Sequence, residues 1–193
     1  MRNVGIFLFN DVEVLDFAGP FEVFSVTSEL NQYQLFKVFT VAQNHDPITT
    51  VNRLKVVPEY AFSDHPPIDI LILPGGVGTK QEMVNERTLS WIKAVNEKTE
   101  ITFSVCSGAR LLAKMSLLDD MEMTTHHEVM PDIRAISSKI IINENMRFID
   151  NGKIMTSGGI SAGIDLSLYV VEKLYGADVK NKTAQYMEYG QWK

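Results

Sequence analysis

Two short apolar runs, each stopped by small residues, limit the possible folds of this chain more than any other feature. Ile68–Leu73 is apolar except for Asp69 and ends at Pro74-Gly75-Gly76. Ile101–Val105 is the second run; it ends at Cys106-Ser107-Gly108, and helical spacing resumes at Ala109–Lys114. Runs of this kind read as strands buried on both faces, the condition of a parallel sheet covered by helices. The rest of the chain alternates in the same way. Val4–Phe9 is β-rich, followed by a turn at Asn10–Asp11 and a helix expected to start near Gly19–Pro20, where Pro20 suits a first turn. Tyr33–Val41 places Tyr33, Leu35, Phe39 and Val41 on one face of a strand, and Leu54–Val57 belongs to a hairpin. Helical spacing marks Thr88–Val95, Ile160–Leu174 and Ala177–Met187, with short strands expected at Met123–Thr125, Ile140–Ile142 and Ile154–Thr156. Strand and helix in alternation imply an α/β sandwich with a mostly parallel sheet. Ligands bind such sheets at the carboxyl ends of strands, which directs attention to Leu73/Pro74 and Val105/Cys106.

With 193 residues and 45% hydrophobic composition, the chain matches one domain, 1–193, at about 150 residues per domain. Asp plus Glu exceed Lys plus Arg by 24 to 18, a net charge of −6. That balance argues against a nucleic-acid partner, which would need a basic stripe. No apolar run approaches the ~20 residues of a membrane span. The opening MRNVGIFLF lacks a small-residue cleavage site and reads as a strand rather than a signal peptide. One cysteine excludes an intrachain disulfide and suits a reducing compartment. The expectation is a soluble, cytoplasmic, one-domain protein.

Cys106 carries the strongest chemical signal. A residue between a buried strand and a helix sits on a sharp turn, a nucleophile elbow, with Ser107 and Gly108 small enough to permit it. The helix start is expected to favour the thiolate and an anion forming on a substrate. The plainer alternative is a buried cysteine acting as a small hydrophobe. The Gly75-Gly76 turn could offer a second backbone N–H to such an anion, or simply turn the chain. Asp16 lies among apolar residues, where a carboxylate needs a partner; it is either a helix cap or the acid that pairs with Cys106. Glu22 fits a capping box, and Glu13 a solvated loop. His126 or His127 could serve as an accessory base, and on a strand only one of them would reach the cysteine. Adjacent histidines diverge and make a poor metal pair, so no metal is expected.

These motifs occur together and in order: Leu15-Asp16-Phe17-Ala18-Gly19-Pro20, Leu73-Pro74-Gly75-Gly76, Val105-Cys106-Ser107-Gly108, Thr124-Thr125-His126 and Thr156-Ser157-Gly158-Gly159-Ile160-Ser161-Ala162-Gly163-Ile164-Asp165. Together they resemble the ThiJ/PfpI superfamily, related to class I glutamine amidotransferases. The branch most similar holds isocyanide hydratases and the sensor domains of AraC-type regulators. The resemblance implies a flavodoxin-like three-layer sandwich, Cys106 as nucleophile and Asp16 as its paired acid. It also implies Ser107 in place of the hydratases' Thr, Gly75 and Gly76 as the N–H-donating loop, Ile160 at the pocket, and a homodimer. Three departures stand out. The PfpI-type peptidases and related glyoxalases have His after the cysteine, where this chain has Ser107, and His127 replaces an aromatic that hydratase-like sequences tend to have. The regulators continue into a helix-turn-helix region, whereas this sequence ends at Lys193 without a basic recognition helix.

Three functions follow as expectations. The first is hydration of an isocyanide to an N-substituted formamide through a covalent thioimidate on Cys106, with no cofactor and a small molecule as the partner. The second is a small-molecule or redox sensor that keeps the site without turnover. The third is an amidase or other hydrolase acting through an acyl-thioester, which needs His126 or His127 as base.

Overall fold

The β-rich run at Val4–Phe9 supplies β1 (Arg2–Phe7), which pairs in parallel with Phe36–Val41 on one side and with Ile70–Ile72 on the other. The structure, a computed structural model, describes residues 1–190; residues 191–193, the end of the expected domain, lie outside the described residues. After β1 come α1 (Val14–Leu30), β2 (Phe36–Ala42), an antiparallel hairpin of β3 (Ile48–Thr49) and β4 (Lys55–Val56), and β5 (Tyr60–Ala61). Next are β6 (Ile70–Leu73), α2 (Thr79–Glu82), α3 (Glu86–Lys98), β7 (Ile101–Ser104), a 3₁₀ turn at Cys106–Gly108 and α4 (Ala109–Lys114). The remainder is β8 (Glu122–Met123), a 3₁₀ turn at His127–Val129, α5 (Met130–Ile136), β9 (Ile141–Ile142), β10 (Phe148–Asn151), β11 (Ile154–Ser157), α6 (Ala162–Tyr175) and α7 (Ala177–Tyr186).

The main sheet runs β10-β11-β7-β6-β1-β2-β5, parallel throughout except for β10 on its edge. Every residue of β6 and β7 is buried, as their apolar character requires. Arg2 and Phe36 are register partners, so they share a sheet face, and Phe7, at opposite parity on β1, lies on the other. Phe24 of α1 meets Phe36 edge-on with ring centroids 4.9 Å apart, while Trp91 of α3 packs on Phe7 at 5.5 Å. Helices therefore cover both faces, with α1, α6 and α7 packed together in one layer. The chain leaves β1 towards β2 but returns to place β6 and β7 on the other side. This reversal opens a crevice between the carboxyl ends of β1 and β6, the topology of a flavodoxin-like sheet.

Several boundaries differ from the sequence reading. Helix α1 starts at Val14, well before Gly19–Pro20, and Pro20 lies inside it. Its start is set by tertiary contact: Glu13, extended and without a side-chain cap, donates its backbone N–H to Gly75 O at 2.9 Å. Pro20 cannot donate to the Asp16 carbonyl four residues earlier, so the helix lacks one rung there. Tyr33 is not on a strand face; it sits in a turn at φ 57° and is exposed. The 124–126 segment is irregular rather than a strand. Two-residue β5 and the antiparallel edge β10 carry too little pattern to be seen in sequence.

The elbow meets β6 without a gap. A Cβ on Gly108 would stand 2.0 Å from the Leu73 carbonyl oxygen, a contact that only backbone movement relieves. Gly108→Ala is expected to destabilise the fold by about 3 kcal/mol or more. Urea denaturation checks this, and a loss under about 1 kcal/mol would show that the elbow yields.

Candidate active site

Three contacts hold Cys106 in its turn. Its backbone sits at φ 54°, a left-handed conformation that costs a non-glycine residue on the order of 1–3 kcal/mol. Its N–H donates to Gly158 O at 3.0 Å, and the Thr125 hydroxyl donates to its carbonyl at 2.6 Å. The preceding Val105 N–H bonds Leu73 O at 3.0 Å. Thr125 was visible in the Thr-Thr-His motif, but nothing local reveals that its hydroxyl anchors the elbow.

Asp16 reaches the same point from α1. It is fully buried, and its Oδ2 accepts the Gly75 N–H at 2.8 Å, while Oδ1 has no hydrogen-bond partner. It is not the helix cap, since the capping position is Glu13. Burial pushes the Asp16 carboxyl up to about 7, against the Gly75 bond; Glu13's charge adds to the rise and the Cys106 thiol opposes it. Burial also pushes the Cys106 thiol up to about 12, helped by Asp16, while the N–H groups of Ser107 and Ile160 and the Ser107 hydroxyl pull it down. The expected lowering of the thiol by the helix start is thus overturned. Desolvation and a neighbouring carboxylate outweigh the N–H groups, and at neutral pH the proton stays on sulfur.

The glycine loop acts differently from the expectation. The Gly75 N–H is engaged by Asp16, and the Gly76 N–H by Ser107 Oγ at 2.8 Å. Both amides therefore hold the Asp16 and Ser107 side chains and are not free to face an anion in the cleft. The sulfur-facing N–H groups are those of Ser107 and Ile160, and Ile160 reaches this orientation at φ 47°. Gly75 is obligatory, because a Cβ there would lie 2.6 Å from Ser107 N and 2.7 Å from Asp16 Oδ2.

Above the thiol opens a cleft of about 420 Å³, walled by Glu13, Val77, Lys80, Arg110, Val129 and Ile160, with Ser107, Gly76, His126 and Glu128 completing it. His126 lies against Gly159, and its Nδ1 accepts the Glu128 N–H at 3.3 Å. The His127 ring lies 4.3 Å from that of His126 at a 31° tilt, and it is exposed outside the cleft. Glu13, half-buried, is part of the site wall and not a solvated loop residue. No motif in the sequence points to Arg110; its one signal is a cation between Ala109 and Leu111-Leu112 at a buried helix start. Among the described residues no group of three His, Cys, Asp or Glu side chains could hold a metal ion. No helix among the described residues is long and apolar enough to cross a membrane.

A mostly parallel sheet with a cysteine elbow at the end of β7, next to its switch point, and a buried acid beside it defines a class of protein. The chain belongs to the DJ-1/PfpI family, whose match spans residues 2–173. It is 31% identical to the isonitrile hydratase of Pseudomonas putida over 96% of this chain and 78% of that protein. It is also 21% identical to the HTH-type transcriptional regulator GbdR of Pseudomonas aeruginosa over 92% of this chain, which spans 48% of the regulator's length. Among solved structures, a ThiJ/PfpI family protein from Pseudomonas syringae superposes with a TM-score of 0.87 at 24% identity, covering 97% of this chain and 75% of that one.

The raised Asp16 pKa has a defined consequence for stability. The unfolded carboxyl ionises near 3.8 and the folded one near 7, so the folded state holds the proton longer. Asp16 thus contributes stability below about pH 4 that is lost as pH rises to about 7, on the order of 4 kcal/mol in total. Asp16→Asn has no such loss, so its stability advantage over the wild type should grow between pH 4 and pH 7 and then level off. Thermal unfolding across that range reads it; a constant difference would show that burial does not hold the carboxyl neutral.

Proposed function

We propose that the protein hydrates an isocyanide to the N-substituted formamide, with Cys106 as nucleophile and Asp16 as the proton carrier. The observation that carries this reading is the buried Asp16 carboxyl beside the Cys106 thiol, with their proton affinities set well apart. At pH 7 the carboxyl is about half ionised while the thiol keeps its proton, so one carboxylate can take and return a proton at the reacting atoms.

As Sγ bonds the terminal isocyanide carbon, Asp16 takes the thiol proton and delivers it to that carbon. The product is a thioimidate, N=CH–S. Water then adds across the C=N bond, oxygen to carbon and hydrogen to nitrogen. The C–S bond breaks with its electron pair going to sulfur, the hydroxyl proton returns to the thiol, and the formamide leaves. The Ser107 and Ile160 N–H groups stabilise negative charge on sulfur in both halves. The isonitrile hydratase relative supports this choice within the family. The hydrolase reading calls on His126 or His127 as its base, whereas His126 Nδ1 accepts the Glu128 N–H and His127 is exposed outside the cleft. A peroxide sensor would need a thiolate, which burial and Asp16 oppose.

The test is formamide production from phenyl isocyanide by the pure protein. Cys106→Ala should abolish turnover, Asp16→Asn should lower it by roughly 10²–10⁴-fold, and His126→Ala should keep most of it. Because the carboxylate is the active form, the rate should rise as pH passes about 7. Full activity in Asp16→Asn, or no turnover at all, would sink the proposal.

A further inference from the structure

Arg110 is a buried cation with donors to spare. It is only 6% exposed, yet it forms part of the cleft wall above Cys106. A guanidinium carries five N–H groups in a planar fork. Nε donates to Asp132 Oδ2 at 2.9 Å, Nη2 donates to the same oxygen, and Nη1 donates to Thr79 Oγ1 at 2.9 Å. Thr79 sends its own proton on to Gly76 O at 2.8 Å, which fixes that end of the fork. One hydrogen on Nη1 and one on Nη2 are left without a partner among the described residues. Buried donors are rarely left unpaired, and the space that Arg110 lines is the cleft.

A second cation borders the same space. Lys80 follows Thr79 in α2, lines the cleft, is exposed, and is in no ion pair among the described residues. Two carboxylates, Glu13 and Glu128, border the cleft as well, so the sign of charge it prefers turns on burial. Glu128 is exposed and Glu13 half-buried, and water satisfies both. The spare Arg110 N–H groups are shut away from bulk water except through the cleft, so a group that enters it gains most by pairing with them. Two N–H groups of one fork match a carboxylate.

We propose that Arg110 and Lys80 form an anion subsite beside Cys106, so that the substrate carries a carboxylate a few bonds from the carbon that the sulfur attacks. Arg110 binds it through the two spare N–H groups, with Asp132 and Thr79 holding the guanidinium still, and Lys80 adds a second, solvated cation. Isocyanide as the reacting group rests on the proposed reaction, and on that reading the substrate is an isocyano carboxylate such as isocyanoacetate. The subsite itself requires only that Cys106 react.

Alkylation of Cys106 by iodoacetate and by iodoacetamide at pH 8 reads the subsite without any assumption about isocyanides. The reagents differ in charge and little in size, so their rate ratio cancels changes in the thiol and in general packing. The thiolate and Asp16 both repel iodoacetate, which without a subsite is the slower reagent. In the wild type iodoacetate should react at least as fast as iodoacetamide. Arg110→Met should lower the ratio by roughly tenfold or more, the worth of charge-assisted hydrogen bonds. Arg110→Met combined with Asp132→Asn, which keeps the charge balance, should show the same fall, and Arg110→Lys a smaller one. Should the Arg110 variants fail to fold, Lys80→Met, at an exposed position, should still lower the ratio by roughly threefold. A wild-type ratio well below one that neither Arg110→Met nor Lys80→Met changes would overturn the proposal. Hydration is then compared for isocyanoacetate and its neutral amide, with the carboxylate expected to be favoured about tenfold through KM. Preference for an isocyanide bearing an ammonium group would overturn the subsite and assign the cleft to Glu13 and Glu128. Iodoacetate preference without hydration of any isocyanide upholds the subsite and sinks the proposed reaction; hydration of phenyl isocyanide without carboxylate preference does the reverse.

Discussion

Gly108 stands against the Leu73 carbonyl and Gly75 against Ser107 and Asp16, each so close that a single added carbon would collide. That contact between the elbow and the end of β6 is what the site depends on. It brings two backbone loops within hydrogen-bond range and forces Cys106 into a left-handed conformation that the Gly158 and Thr125 contacts then hold. It also decides where the amides point. Once Gly75 and Gly76 face Asp16 and Ser107, they orient an acid and a hydroxyl, and the sulfur is left to the N–H groups of Ser107 and Ile160.

The arrangement stores a cost in the folded state. A carboxyl with one oxygen unpartnered in a buried wall resists ionisation, and its charge, when present, resists ionisation of the thiol. Either group alone would be easier to bury in its neutral form. Together they form a pair in which the proton has two nearby homes of unequal affinity, which suits a site that must move one proton on and off a reacting carbon.

The same fold serves relatives as different as a hydratase and a transcriptional regulator. Function therefore rests on side chains at the elbow and not on the sheet. Here Ser107 follows the cysteine, and its hydroxyl is bonded on both sides by Gly76. Arg110 adds a buried cation behind the loop, so the cleft's walls are tied together from beneath.

The sequence by itself determined the sheet and the elbow. Uninterrupted apolar runs can be hidden only in strands covered on both faces, and Cys106 between such a run and a helix has one place to go. Asp16 among apolar neighbours was already marked as a carboxylate in need of a partner. The start of α1 was not legible, because it is set by the Gly75 carbonyl on a segment far along the chain. Nor were the partners of Asp16, the roles of Thr125 and Thr79, or the separation of His126 from His127. The upward shift of the thiol is not legible in the sequence for the same reason. Local pattern records which residues prefer burial, but hydrogen bonds and desolvation depend on which distant backbone atoms arrive beside them, and only the tertiary structure decides that.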